Sequence, residues 1–189
     1  GIIMFDEMKM EMVKEMAKMM AKENFLKGIR VGVQKKGRRP EVDTWETEFD
    51  GIEGFIYSVQ PQTKGIIKPG LAEILGMTRD ELWERAKANT EKEAKGAMMG
   101  GKDGLIMIKH DGEYGAGIVL CKDVIRTLAE DAGWKRVVMF PSSEGEVMLA
   151  DYDADGRYID ELGDVVKMVN EFFVDKDRVL GDRAYLIEF

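Results

Sequence analysis

The stretch from Leu105 to Asp151 constrains the fold of this chain more than any other. Short apolar runs of strand length alternate there with turn residues, and one segment has helical periodicity. The predicted strands are 105–108, 115–121, 136–140 and 146–150, with a helix over about 122–132 that Gly133 stops. Four strands and one helix in so short a run predict a small α+β core.

The segments on either side of this core predict further helices and strands. Met4 to Glu23 has strong helix formers and no Gly or Pro. Alternating patterns over 29–34, 42–49 and 52–59 predict a three-stranded meander covered by that first helix. Thr78 and Glu81 form a capping box that starts a long helix; a helix over 160–173 and a strand over 184–189 follow. We expect a mainly antiparallel sheet, helices packed on one face and a methionine-rich N-terminal helix.

A loop from Gln60 to Gly70, which carries Pro61 and Pro69, is the best candidate for an internal boundary. The prediction is an N-terminal lobe over residues 1–60, made of the helix and the meander, and an α+β core domain over residues 61–189. The two parts could also form one continuous domain.

The composition is that of a soluble globular protein. Of 189 residues, 44% are apolar and 34% are charged, and the longest apolar runs are too short to span a membrane. A single cysteine, Cys121, excludes an internal disulfide and a multi-thiolate metal site. We expect a cytoplasmic protein without a cofactor.

The net charge of −8 is concentrated in the last quarter of the chain. Acidic and basic residues balance up to Phe140, whereas Pro141 to Phe189 holds 13 acidic and 5 basic residues. Such a segment repels nucleic acid and attracts basic protein surfaces, or it is simply a solvated face. The candidate partner-binding acids are Asp151, Asp153, Asp155, Asp160 and Glu161.

Methionines recur at helical spacing in the N-terminal helix. Seven of the 14 methionines lie in the first 20 residues, and Met8, Met12 and Met16 are four residues apart. Methionine is flexible and suits surfaces that adapt to a partner. The stripe therefore predicts either a face packed on the protein's own sheet, or a homodimer or partner interface.

Candidate catalytic and metal-binding motifs are incomplete. Asp151, Asp153 and Asp155 match the first positions of a calcium loop, but its twelfth position is Leu162 instead of a glutamate. A Cys121/His110 dyad would need the two ends of a hairpin to meet.

Other short motifs have plainer interpretations. Ser142 and Ser143 are expected to form turns, and the glycines of 112–117 are expected to let two backbones pack closely rather than bind a dinucleotide. The basic turn Lys35–Pro40 is interpreted as a solvated hairpin tip.

Several ordered motifs resemble an uncharacterised bacterial domain-of-unknown-function family. They are the block from Leu75 to Trp83, Gly115-Ala116-Gly117, Pro141-Ser142-Ser143 and Val169-Asn170, so the likeness covers about residues 55–189. It implies neither an activity nor catalytic residues. In size and acidity the chain is also similar to phage anti-CRISPR proteins.

The leading functional expectation is a non-enzymatic inhibitor that docks on a basic, nucleic-acid-handling protein such as a CRISPR effector nuclease, without touching nucleic acid or membrane. The alternatives are a housekeeping domain that forms a homodimer through the methionine stripe, and a calcium-regulated or enzymatic domain that uses the Asp151 segment.

Overall fold

The computed structural model describes residues 2–96, 105–108, 113–155, 164, 166–168, 170–171 and 174–189. The helices are α1 (Ile2–Lys27), α2 (Leu71–Ile74), α3 (Arg79–Gly96), α4 (Lys122–Ala132) and α5 (Tyr152–Asp155), and a 3-10 helix spans Gly115–Leu120. The strands are β1 (Ile29–Lys35), β2 (Trp45–Glu46), β3 (Ile52–Val59), β4 (Lys64–Ile66), β5 (Leu105–Ile108), β6 (Arg136–Phe140), β7 (Val147–Asp151) and β8 (Tyr185–Glu188). The described part of the predicted 160–173 helix is helical at 164, 166–168, 170 and 171.

The fold is α+β with antiparallel strands, as predicted, and the strands are divided between two sheets. In the first sheet β3 lies between β1 and β2 and also pairs with β4, while the second has the order β5-β7-β6-β8. β1 and β3 pair from Ile29 opposite Ser58 to Lys35 opposite Ile52.

The predicted meander is wrong, because β1 is a neighbour of β3 rather than of β2. The middle segment keeps only two strand residues. The Thr47 hydroxyl donates to the carbonyl of Ile52 (2.6 Å) and accepts from the amide of Phe49 (3.1 Å). This local side-chain bonding competes with a strand ladder and breaks the segment.

The predicted strand over 115–121 is also wrong, because Gly115–Leu120 forms a 3-10 helix. A short buried apolar run does not distinguish strand from helix by its periodicity. The predicted close backbone approach is confirmed at Gly117, where a Cβ atom would lie 2.0 Å from the carbonyl oxygen of Val31 in β1.

The largest apolar cluster is built from both sheets, the 3-10 helix and α4. The first sheet and its turn contribute Val33, Phe49 and Ile52, and the second contributes strand residues such as Val147 and Leu149. A smaller cluster lies between the first sheet and α3 and includes Leu26, Val31, Ile56, Leu82 and Ala86.

Two predicted helix ends are confirmed. Thr78 and Glu81 bond reciprocally, since the amide of Glu81 donates to the Thr78 hydroxyl (3.0 Å) and the amide of Thr78 donates to the Glu81 carboxylate (3.3 Å). Gly133 ends α4 with φ of 77°, a conformation that glycine adopts without strain.

Helix α1 does not cover the first sheet along most of its length, so that prediction is wrong. Residues 7–21 are exposed, and Leu26 is the first described residue of the helix that is buried. Beyond residue 60, β4 continues the first sheet, and the predicted division of the chain stays a prediction. Among the described residues no helix has the length and apolar character needed to cross a membrane.

Candidate functional site

The exposed part of α1 presents an apolar face, interrupted near its N-terminal end by Lys9, which we call the methionine face. Its members share one side of the helix and are between 59% and 67% exposed: Met8, Met12, Val13, Met16, Met19 and Met20. Their spacings of three and four residues place them on adjacent turns. The predicted partner-binding residues Met8, Met12 and Met16 thus lie together on the surface.

Among the described residues, the contacts that attach helix α1 to the body of the protein lie near its C-terminal end. The side-chain amide of Asn89 in α3 donates to the carbonyls of Leu26 (2.7 Å) and Ile29 (3.1 Å). Arg85 of α3 pairs with Glu23 at 3.0 Å, and this hydrogen bond lowers the pKa of the Glu23 carboxyl. These contacts hold the base of the helix and leave the preceding four turns outside the core.

Local sequence explains why the exposed part remains helical. Its residues are mostly Met, Lys, Glu and Ala, which have high helix propensity. Ion pairs three residues apart join Glu11 to Lys14 and Glu15 to Lys18, each at 3.5 Å. Each such pair contributes about 0.2–0.5 kcal/mol.

The predicted acidic site is only partly described, and two of its members, Asp151 and Asp153, bond within the protein. Arg136 forms an ion pair with Asp153 and lowers the pKa of that carboxyl. The Asp151 carboxylate accepts a hydrogen bond from the amide of Asp153 at 3.1 Å. Asp155 ends α5, and Asp160 and Glu161 lie outside the described residues. The segment after β7 therefore begins as a helical turn.

The basic turn is not a solvated hairpin tip, contrary to the prediction. Arg39 donates through both terminal nitrogens to the two carboxylate oxygens of Glu144, each at 2.8 Å, and the Glu144 side chain is fully buried. Arg38 reaches the carbonyls of Lys176, Asp177 and Val179. Both arginines therefore connect the first sheet to loops of the C-terminal half.

Cys121 is a packing residue. Its side chain is 1% exposed, and burial raises the pKa of its thiol to about 12. The proposed partner His110 lies outside the described residues. The turn interpretation of Ser143 is confirmed, since its hydroxyl accepts from the amides of Gly145 and Glu146, each at 3.2 Å. Within the described residues no group of histidine, cysteine and acidic side chains is arranged to hold a metal ion.

A groove that the sequence did not indicate lies between β4, α2 and the base of α1. It has a volume of about 470 Å³, and Phe25, Ile66, Leu71 and Ile74 line its apolar part. Ile74 is 81% exposed. The run 71–75 has the apolar composition of core residues, so its sequence carries no signal that Ile74 faces solvent.

The chain was compared with protein-family models, with curated proteins and with solved structures, and none of the three comparisons finds a match. The likeness to an uncharacterised bacterial family and the similarity in character to anti-CRISPR proteins both stay expectations.

Proposed function

We propose that this protein acts by binding other protein chains and that the methionine face of α1 is its docking surface. The observation that carries the proposal is the exposure of residues 7–21 on every side of a helix with six clustered apolar side chains. An apolar stripe on a surface helix ordinarily packs on a core. Where no core covers it, an apolar patch of this kind marks an interaction site.

To bind with a useful free energy, a partner would have to cover most of the methionine face. Burying one methionine side chain contributes about 1.5–3 kcal/mol, but fixing it costs about 1.5–2 kcal/mol of rotamer entropy. The net gain from one side chain is therefore small. A specific complex needs several of these methionines buried together, which their shared face allows.

Matched substitutions test the proposal. Met12→Asp introduces a charge within the methionine face, whereas Met10→Asp introduces the same charge outside it, at a position of similar exposure (63% and 61%). Tagged wild type, Met10→Asp, Met12→Asp and the double variant Met12→Asp/Met16→Asp would be purified from cells that also express a second, differently tagged copy. Bound proteins would be quantified by mass spectrometry.

We expect binding to survive Met10→Asp and to be lost in the double variant. If no protein is retained by wild type, including the second copy, or if all variants retain the same proteins equally, the methionine face is not a docking surface.

A second candidate function is inhibition of a basic, nucleic-acid-handling nuclease such as a CRISPR effector. The concentration of the net charge after Pro141 favours it, and Asp175, Asp177 and Asp182 are exposed. Binding to such a nuclease should weaken as salt rises. It should also weaken when Asp151, Asp155, Asp160 and Glu161 are changed to their amides; Asp153 is left intact because it pairs with Arg136. Salt-insensitive binding, unchanged by these substitutions, would count against this function.

A further inference from the structure

The strand β4 forms an outer edge of the first sheet. Beside it, Thr63 exchanges two main-chain bonds with Gln60 (2.8 and 3.3 Å), and the amide of Ile67 donates to β3 (3.0 Å). Bonded positions alternate along an antiparallel pair, so Gly65 bonds to β3 whereas Ile66 directs its N–H and C=O outwards. Among the described residues no strand pairs with this outer side of β4.

Gly65, the middle residue of β4, is a glycine that the fold itself does not require. Its backbone is outside the left-handed region, and a Cβ atom there would meet nothing within 4 Å. Glycine weakens the interior of a strand, and it often marks a place where a ligand or another backbone approaches closely. Gly65 lines the groove between β4, α2 and the base of α1, so the open space beside it belongs to that groove.

The groove combines an apolar wall with positive charge. Ile74, 81% exposed, and Phe25 belong to the wall. Of the described residues that line the groove, the charged ones are Lys64 and Lys68, and none is acidic. Lys64 pairs with Glu113 at 3.8 Å, so exposed Lys68 is the residue that we expect to meet an acid. In a protein of net charge −8, this lining is complementary to an acidic partner.

We propose that β4 and the groove bind an extended peptide segment of a partner protein, in which a large apolar residue lies next to an acidic one. The segment adds a strand to β4 through the main chain of Ile66. Residues opposite one another on adjacent strands share a face of the sheet. The apolar side chain opposite Gly65 therefore enters the space that glycine leaves, and the acid lies beside Lys68.

The short length of β4 makes the groove necessary for binding. In strand addition, main-chain bonds give affinity and pockets for side chains give specificity. With three residues in β4, the main-chain bonds are few, so the apolar side chain in the groove must contribute as well. The groove volume of about 470 Å³ is that of a ligand-binding cleft. This inference does not rest on the methionine face and adds a second binding site to the protein.

Peptide display with two groove variants tests the site. Random linear peptides of about eight residues, the length of a strand, would be selected on immobilised wild type. Gly65→Leu fills the groove, and Ile74→Asp places a charge on its wall; both positions are exposed. Selected peptides should share an apolar residue next to an acid, and each variant should weaken their binding at least about tenfold in fluorescence anisotropy. Urea denaturation confirms that both variants remain folded.

The charge on the rim and the added strand have tests of their own. Lys68→Glu should weaken the selected peptides about two- to fivefold, as expected for an exposed ion pair. Methylating single main-chain nitrogens of a peptide should abolish binding at alternate positions only, because every second N–H faces β4. Tolerance of methylation at every position would mean that the peptide does not pair with Ile66, and would overturn strand addition.

The remaining outcomes separate this site from other occupants and from the methionine face. The double variant Met12→Asp/Met16→Asp should bind the selected peptides as wild type does; loss of binding there would assign them to the methionine face and overturn this inference while supporting the docking function. Failure to enrich any peptide, or equal binding by Gly65→Leu and Ile74→Asp, overturns it and leaves the methionine face untouched. Dodecanoate binding without peptide binding, or a dimer that Gly65→Leu abolishes, would identify a lipid-like ligand or a second copy instead.

Discussion

Glu144 is the most deeply buried acid in the described part of the chain, and its side chain has no exposed surface. Its carboxylate is held by two 2.8 Å hydrogen bonds from Arg39, and its amide donates to the carbonyl of Arg178 at 3.0 Å. The bidentate bond to Glu144 raises the pKa of Arg39. A buried carboxylate is tolerated only with such a partner.

Arg39→Ala should therefore lower the free energy of unfolding by about 3 kcal/mol, because it leaves Glu144 buried without its main partner. Arg38, whose nitrogen is 3.8 Å from the same carboxylate, compensates only in part. Urea denaturation measures the change. Lys95→Ala is the matched control: it removes an exposed pair with Glu91 at 3.2 Å and should cost about 0.5 kcal/mol or less. Equal effects would show that the Arg39 pair is no more important than a surface pair.

Cys121 should not react with thiol reagents in the native protein. Its pKa is about 12, so almost no thiolate exists at pH 8, and the side chain is buried. Reaction with Ellman's reagent at pH 8 should appear only when urea unfolds the protein. Rapid modification of the folded protein would contradict the packing role.

The raised pKa of the Cys121 thiol also makes the stability of the fold depend on pH. Because the folded-state pKa lies above the ordinary value of 9.0, the neutral thiol stabilises the fold below pH 9. That contribution is lost as pH rises from 9 towards 12.

Among the helices and strands, the 3-10 helix Gly115–Leu120 packs against β1 and contributes Ala116, Ile118 and Val119 to the apolar cluster shared by both sheets. Gly117 lies against the backbone of β1, and no side chain fits there. Gly117→Ala should lower the free energy of unfolding by about 3 kcal/mol or more, since the obstacle is backbone rather than a movable side chain. Gly65→Ala is the matched control, because a Cβ atom at Gly65 of β4 meets nothing within 4 Å. Urea denaturation of the two variants should separate them, and equal stabilities would contradict the close contact.

The sequence predicted the elements whose ends are defined by local residue patterns. α4, β5, β6 and β3 have the predicted bounds, because local periodicity and glycine stops define them. β2 was mispredicted because the Thr47 hydroxyl bonds locally to the amide of Phe49 and the carbonyl of Ile52, and an alternating pattern of residue types does not register such bonds. The 3-10 helix was mispredicted because the contact of Gly117 with β1 is distant in the chain, and no local pattern encodes it.

For the candidate site too, the sequence predicted what is local and missed what depends on the rest of the chain. The spacing of Met8, Met12 and Met16 predicted one face of a helix, but exposure depends on what the rest of the chain packs against it. Likewise, nothing in the sequence near Arg39 indicates that its partner is Glu144, since the two residues are far apart in the chain.

In the molecule as a whole, most of α1 projects from the core, so we expect it to contribute little to the stability of the fold. Deleting residues 1–20 should change the free energy of unfolding, measured at low concentration, by less than about 1 kcal/mol, because residues 7–21 cover no core. Leu26 and the Asn89 bonds remain in place. A large loss of stability would show that the helix packs on the body.

Because both sheets contribute to one apolar cluster, the first sheet cannot complete its packing until the C-terminal strand has been synthesised. The strands of the first sheet are complete by Ile66, yet Phe49 packs edge-on against Tyr185, with ring centroids 5.4 Å apart. At about 5–20 residues per second, the ribosome needs on the order of ten seconds to translate the intervening chain. Until that strand emerges, Phe49 of the nascent first sheet lacks its contact with Tyr185, so the apolar cluster shared by the two sheets is completed only when the C-terminal strand has been made.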